Sequence, residues 1–154
     1  MLTAMERGVD YFDTAWPYHG GKSEPFVGKV LARNNRRDQV KIATKLPHWS
    51  TDSKEQMDHI LDQQLAKLQT DHIDYYLIHA LSGELWEKAK GHGVIAFLED
   101  ALRVGKIRYA GFSYHGLSQD FAPIVDDFDW TFTQIQYNYM DTAVQATTDG
   151  LEYA

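Results

Sequence analysis

Five short segments of the chain are almost continuously apolar and rich in β-branched and aromatic residues: Val9 to Asp13, Val40 to Lys45, Ile73 to His79, Ile107 to Ser113 and Thr131 to Tyr137. Strands with one wet face alternate apolar and polar residues, whereas strands buried on both faces of a parallel sheet do not. Helical patterns fill the gaps. Ser23 and Pro25 open one, in which Phe26, Val30 and Leu31 share a face. Ser53 and Gln56 form a capping box ahead of Met57, Ile60, Leu61, Leu65 and Leu68. A third helix carries Phe97, Leu98, Ala101 and Leu102 and is terminated by Gly105, and a shorter fourth runs from Ser118 to Asp127. Strands alternating with helices of this length predict right-handed βαβ units in a single α/β domain.

The flanks add a constraint. Residues 1 to 8 read as the tail of a helix ended by Gly8, and residues 142 to 154 as the start of another. Five strands bracketed by helix fragments fit an open α/β sheet. They also fit an incomplete barrel that lacks strands at both ends, and this is the sharper expectation for residues 1–154.

Composition narrows the function classes without naming one. The 154 residues are 44 % hydrophobic and 24 % charged, as in ordinary soluble domains. With 22 acidic against 15 basic residues and a net charge of −7, no nucleic-acid partner is expected. No apolar run approaches the roughly 20 residues of a membrane span, and the N-terminus lacks the pattern of a secretory signal. Zero cysteines exclude disulfides, thiolate nucleophiles and Cys-based metal sites, which suits a reducing cytoplasm.

The chemistry lies at the strand ends. Asp13, Lys45, His79 and Ser113 each close a strand that should avoid polar residues, and they stand 32, 34 and 34 positions apart. That step is one βα unit, so the four groups occupy equivalent places along the carboxyl edge, where parallel α/β folds bind ligands. Tyr18 lies five residues past Asp13 on the loop Trp16-Pro17-Tyr18-His19-Gly20-Gly21. Pro17 stiffens this loop and the glycine pair lets it fold back over the edge. A phenol is a poor acid at neutral pH, but a nearby ammonium stabilises its phenolate, and a carboxylate keeps that ammonium charged and aimed. Asp13, Lys45 and Tyr18 thus read as a tuned proton donor. His79 supplies a second hydrogen bond to a substrate oxygen.

These residues sit in motifs that resemble the aldo-keto reductase family, its bacterial members above all. Gly-Val-Asp-Tyr-Phe-Asp-Thr-Ala-Trp-Pro-Tyr-His-Gly-Gly-Lys-Ser-Glu at 8–24 is similar to the family signature. Ala-Thr-Lys at 43–45 is similar to its lysine strand and Ile-Asp-Tyr-Tyr-Leu-Ile-His at 73–79 to its histidine strand. Gly-Lys-Ile-Arg-Tyr-Ala-Gly-Phe-Ser at 105–113 and Thr-Gln-Ile-Gln-Tyr-Asn at 133–138 resemble the fifth and sixth strands. The resemblance implies a (β/α)8 barrel of the TIM type, of which strands two to six are present and one, seven and eight are not. It implies reduction of a small aldehyde or ketone with NADPH, or NADH, as hydride source. Tyr18 is then the general acid, Lys45 and Asp13 its tuning pair, and His79 the group that orients the carbonyl. Ser113 and Gln134 hold the nicotinamide carboxamide. Where many members have Asn after that serine, this chain has Tyr114. The family grips pyrophosphate and adenosine with loops after strands seven and eight, so a non-catalytic nucleotide-sensing or interaction module, or an inactive fragment, is the alternative.

Other residues receive structural readings. His19, His48, His59, His72 and His92 stand in polar, loop or helix-surface contexts and are expected to be solvated. His79, His115 and Asp13 match no metal-ligand spacing, so no metal site is expected. Trp16 and Trp49 follow strands in loops, where walling a pocket and ordinary packing are both open. Tyr75, Tyr76, Tyr137 and Tyr139 are assigned to strands or barrel layers.

Overall fold

A computed structural model describes residues 1–154. Helix α1 (Leu2–Glu6) leads into β1 (Tyr11–Asp13), followed by α2 (Ser23–Arg33), β2 (Lys41–Leu46), α3 (Lys54–Leu68) and β3 (Ile73–Leu81). Two helices come next, α4 (Gly83–Gly91) and α5 (Val94–Arg103), then β4 (Ile107–Tyr114), α6 (Ser118–Asp126), β5 (Phe132–Ile135) and α7 (Thr147–Tyr153). All strand pairings are parallel, in the order β1-β2-β3-β4-β5. Each neighbour along the chain is a neighbour in the sheet, the arrangement of successive βα units in a barrel wall. The sheet is open, since closure depends on strand number, tilt and shear together and β1 and β5 each pair on one side only.

The core lies between the outer face of the sheet and the helices. Ile42, Leu46, Tyr76, Ile78 and Phe112 meet Met57, Leu61, Trp86, Phe97 and Phe121 in one buried cluster. The inner face carries an aromatic row instead. Tyr75 lies 5.4 Å from Tyr11 and 5.2 Å from Tyr109, ring centre to ring centre, and is perpendicular to Phe132 at 5.1 Å. Tyr11 and Tyr109 are each 42 % exposed. Gly111 makes room for this row, because a Cβ there would sit 2.6 Å from the Phe132 ring.

Two local expectations need correction, and one helix was not foreseen. The buried face of α2 is Glu24, Val27, Gly28 and Leu31, whereas Phe26 is 58 % exposed. Gly28 sets that rotation, since it lies against the backbone of Lys67 and Leu68 and a Cβ would come within 2.6 Å of Leu68 O. The helix read around Phe97 is α5, and α4, which the sequence pattern did not show, precedes it, capped by the Ser82 side chain. Gly93, at φ +86°, forms the break between them. Tyr137 and Tyr139 lie beyond the end of β5 rather than in a barrel layer, and Tyr139 is 93 % exposed. At Ser53 the capping box holds, although the Gln56 side chain accepts from the N–H of Asp52 rather than from Ser53 itself. No helix is long and apolar enough to cross a membrane.

Candidate active site

Strand register brings the polar strand ends together. Asp13 pairs with Ala43, Lys45 with Leu77 and Ser113 with Gln134, so all project from the carboxyl half of the sheet. The Lys45 ammonium donates to Asp13 Oδ1 at 2.5 Å and to the carbonyl of Thr14 at 2.8 Å. Lys45 is 1 % exposed, a depth at which a cation must be paired. Asp13 is the wetter partner, with 31 % of its side chain accessible.

Tyr18 arrives from the loop after β1. Its N–H donates to Ala15 O at 3.1 Å and its carbonyl accepts from Gly21 N–H at 3.1 Å. His19, Gly20 and Gly21 follow in the left-handed region, at φ 53°, 63° and 79°, which reverses the loop. The Tyr18 ring centre consequently lies 5.0 Å from Lys45 Nζ and 5.9 Å from the His79 ring, edge-on.

His79 is aimed by a feature the sequence did not announce. The β3–β4 register shifts between Ile78 and Leu81, and Ala80 takes the left-handed conformation at φ 53°. This is a β-bulge, a device that redirects side chains beside sites. The N–H of Ala80 donates to Ser113 Oγ at 2.7 Å. Burial, with the positive charge of Lys45 next, pulls the His79 imidazole down to about 4, so it is neutral at physiological pH. Its Nδ1 is buried without a hydrogen-bond partner.

His48 departs from expectation. It is 4 % exposed, with a buried Nε2 that has no partner, and burial holds it below the usual imidazole range. The short turn His48–Ser50 after β2 folds the ring inward against Trp49, 5.4 Å away. Trp49, itself 51 % exposed, lies 5.1 Å from the His79 ring and walls the site on that side.

Ser113 and Gln134 are register neighbours on β4 and β5. Ser113 is buried and Gln134 exposed on the last strand. Tyr114 contributes nothing here. Strand alternation sends it to the helix side, 5.0 Å from Phe121, where its hydroxyl donates to Leu117 O and burial pushes it up to about 12. Gly116 leaves room for that hydroxyl.

Behind Lys45 lies a buried polar cluster that sequence reading missed. Glu24, 0 % exposed, accepts from Thr44 Oγ1 at 2.7 Å and from Gln64 Nε2 at 2.6 Å. Gln64 also donates to Lys45 O at 3.0 Å and accepts from Tyr76 Oη at 2.7 Å. The available signal was a glutamine at a position where the pattern Met57, Leu61, Leu68 calls for an apolar residue.

Comparison with known proteins places the chain in a family. The profile of the Aldo/keto reductase family matches residues 1–149, and the chain belongs to that family. Aldo-keto reductase YhdN of Bacillus subtilis is 33 % identical over 123 residues, which cover 75 % of this chain and 36 % of that protein. The oxidoreductase YrpG of the same organism is 31 % identical over 134 residues, covering 73 % and 38 %. Among solved structures, an aldo-keto reductase from Bacillus halodurans in its holo form superposes with a TM-score of 0.71 at 30 % identity, covering 90 % of this chain and 45 % of that one. An aldo/keto reductase from Klebsiella pneumoniae in complex with NADP and acetate gives 0.74 at 26 % identity, covering 90 % and 47 %. The chain therefore spans less than half the length of these relatives.

Proposed function

We propose that the whole protein reduces an aldehyde or ketone to an alcohol, with Tyr18 as proton donor. One observation carries the reading: the Lys45 ammonium is fixed 2.5 Å from Asp13 and lies 5.0 Å from the Tyr18 ring, at the carboxyl edge of a parallel sheet. As the Tyr18 phenol gives its proton to the carbonyl oxygen, negative charge grows on the phenol oxygen. Lys45, anchored by Asp13 and Thr14 O, stabilises that charge without having to reorganise. Neutral His79 donates its single ring N–H to the same carbonyl oxygen, and does not compete as an acid at neutral pH. Trp49 presents a flat apolar surface beside it.

A bound NADPH or NADH supplies the hydride that the carbonyl carbon requires. The residues present fit the carboxamide of such a cofactor. Ser113 Oγ accepts from Ala80 N–H, which leaves its own hydrogen free to donate, and the exposed Gln134 amide beside it offers both a donor and an acceptor. The cofactor seen in the Klebsiella relative supports NADPH for this chain. A cytoplasmic location, with its nicotinamide pool, belongs to the same proposal.

Nicotinamide absorbance tests the reading in the whole protein. Consumption of NADPH that requires an added aromatic aldehyde is the expected result. NADPH binding with no consumption would favour the non-catalytic nucleotide-binding alternative.

A further inference from the structure

Nothing in the mechanism above uses Lys67, yet the fold places it at a junction between the two halves of the proton donor. Gly28 lets α2 lie directly on the C-terminal end of α3. One turn earlier on each helix, Glu24 and Gln64 then meet. The Glu24 carboxylate is fully buried, and a buried anion requires a cation or several donors. Thr44 and Gln64 serve Oε1, while Lys67 Nζ approaches Oε2 at 3.5 Å. In reaching Glu24, the Lys67 ammonium comes to rest over the ring of Trp16, 3.2 Å from its centre.

Trp16 stands two residues before Tyr18, with rigid Pro17 between them. Fixing the indole therefore fixes the base of the loop that delivers the phenol. On the other arm, Gln64 holds the main-chain carbonyl of Lys45. We propose that Lys67, through its ion pair with Glu24 and its stack on Trp16, is a positioning residue that sets the Tyr18 hydroxyl relative to the Lys45 ammonium. The inference rests on the reading of Tyr18 as proton donor. Such placement matters, because displacement of a reacting group by about 1 Å lowers a rate by as much as 10²-fold.

Lys67 keeps 26 % of its side chain accessible, and Thr44 and Gln64 still donate to Glu24 when it is replaced, so the variant should remain folded, at some cost in stability. In the whole protein, Lys67→Met should lower kcat for carbonyl reduction by about tenfold, leave the KM for NADPH within about twofold, and move the alkaline limb of the pH–rate profile. Lys67→Arg, which retains both the charge and the stack, should restore the rate and the profile. Tyr18→Phe, run alongside, tests the underlying reading separately. Parental kcat and pH profile in Lys67→Met, with Tyr18→Phe inactive, would overturn the positioning role alone. A loss matched by the unfolded fraction in thermal melts, with the profile of the remaining activity unmoved, would overturn it too.

Discussion

The backbone N–H of Ala80 donates to Ser113 Oγ at 2.7 Å, tying the bulge of β3 to the end of β4 immediately beside His79. Ala80 sits there at φ 53°, which disfavours a residue with a Cβ by roughly 1–2 kcal/mol. Ser113→Ala removes the acceptor and leaves a part-buried donor without a partner. It should destabilise the protein by about 1–3 kcal/mol in urea denaturation. Ala80→Gly relieves the backbone and should stabilise by up to about 1 kcal/mol, less the entropy that glycine returns to the unfolded chain. Equal midpoints for Ser113→Ala and the parent would mean that the bulge is held by something other than this bond.

His79 gives a pH signature. Its imidazole titrates at about 4 in the fold and near 6.5 when unfolded, so between those values the unfolded chain binds the extra proton. The contribution to stability is present above about pH 6.5 and is lost as pH falls toward 4. Proton NMR of the His79 ring should show a midpoint well below 6.5, the ordinary imidazole value. A His79 midpoint near 6.5 would contradict both the burial and the neutral donor role.

Gly28 should tolerate nothing larger than hydrogen. A Cβ at this position would come 2.6 Å from Leu68 O and crowd Lys67 O as well, both backbone atoms that cannot step aside. Gly28→Ala should cost about 3 kcal/mol, against a gain of up to about 1 from helix propensity at a position free to accept it. Because the same approach brings Glu24 to Gln64, kcat should fall in the variant that survives. A thermal midpoint equal to the parent's would refute the close packing of α2 on α3.

Much of the site was legible because its signal is local. Asp13, Lys45, His79 and Ser113 interrupt buried strands at one repeating interval, and a parallel sheet converts that interval into adjacency. The strands were likewise legible as near-continuous apolar runs, although in residues 1–154 the inner face is not buried and Tyr11 and Tyr109 on it are each 42 % exposed. What escaped depends on long-range packing. No pattern within residues 73–81 signals that Ala80 will turn left-handed; the partner its N–H finds there, Ser113 Oγ, lies 33 residues away. His48 looks like a loop histidine until the turn after β2 folds it under Trp49. Phe26 looked like core because it is apolar, but Gly28 and the needs of Glu24 rotate α2 away from it. The division of residues 83–103 into two helices turns on Gly93, whose role emerges only once Trp86 and Phe97 both have a core to enter.

The central claim is that the Tyr18 phenol, held beside the Lys45–Asp13 pair, delivers the proton. Tyr18→Phe keeps the ring and its stacking and removes only the hydroxyl, so turnover of an aromatic aldehyde by the whole protein should fall by at least about 10²-fold. NADPH affinity, read by fluorescence titration, should stay within about twofold of the parent. Turnover in Tyr18→Phe equal to that of the parent would contradict the account.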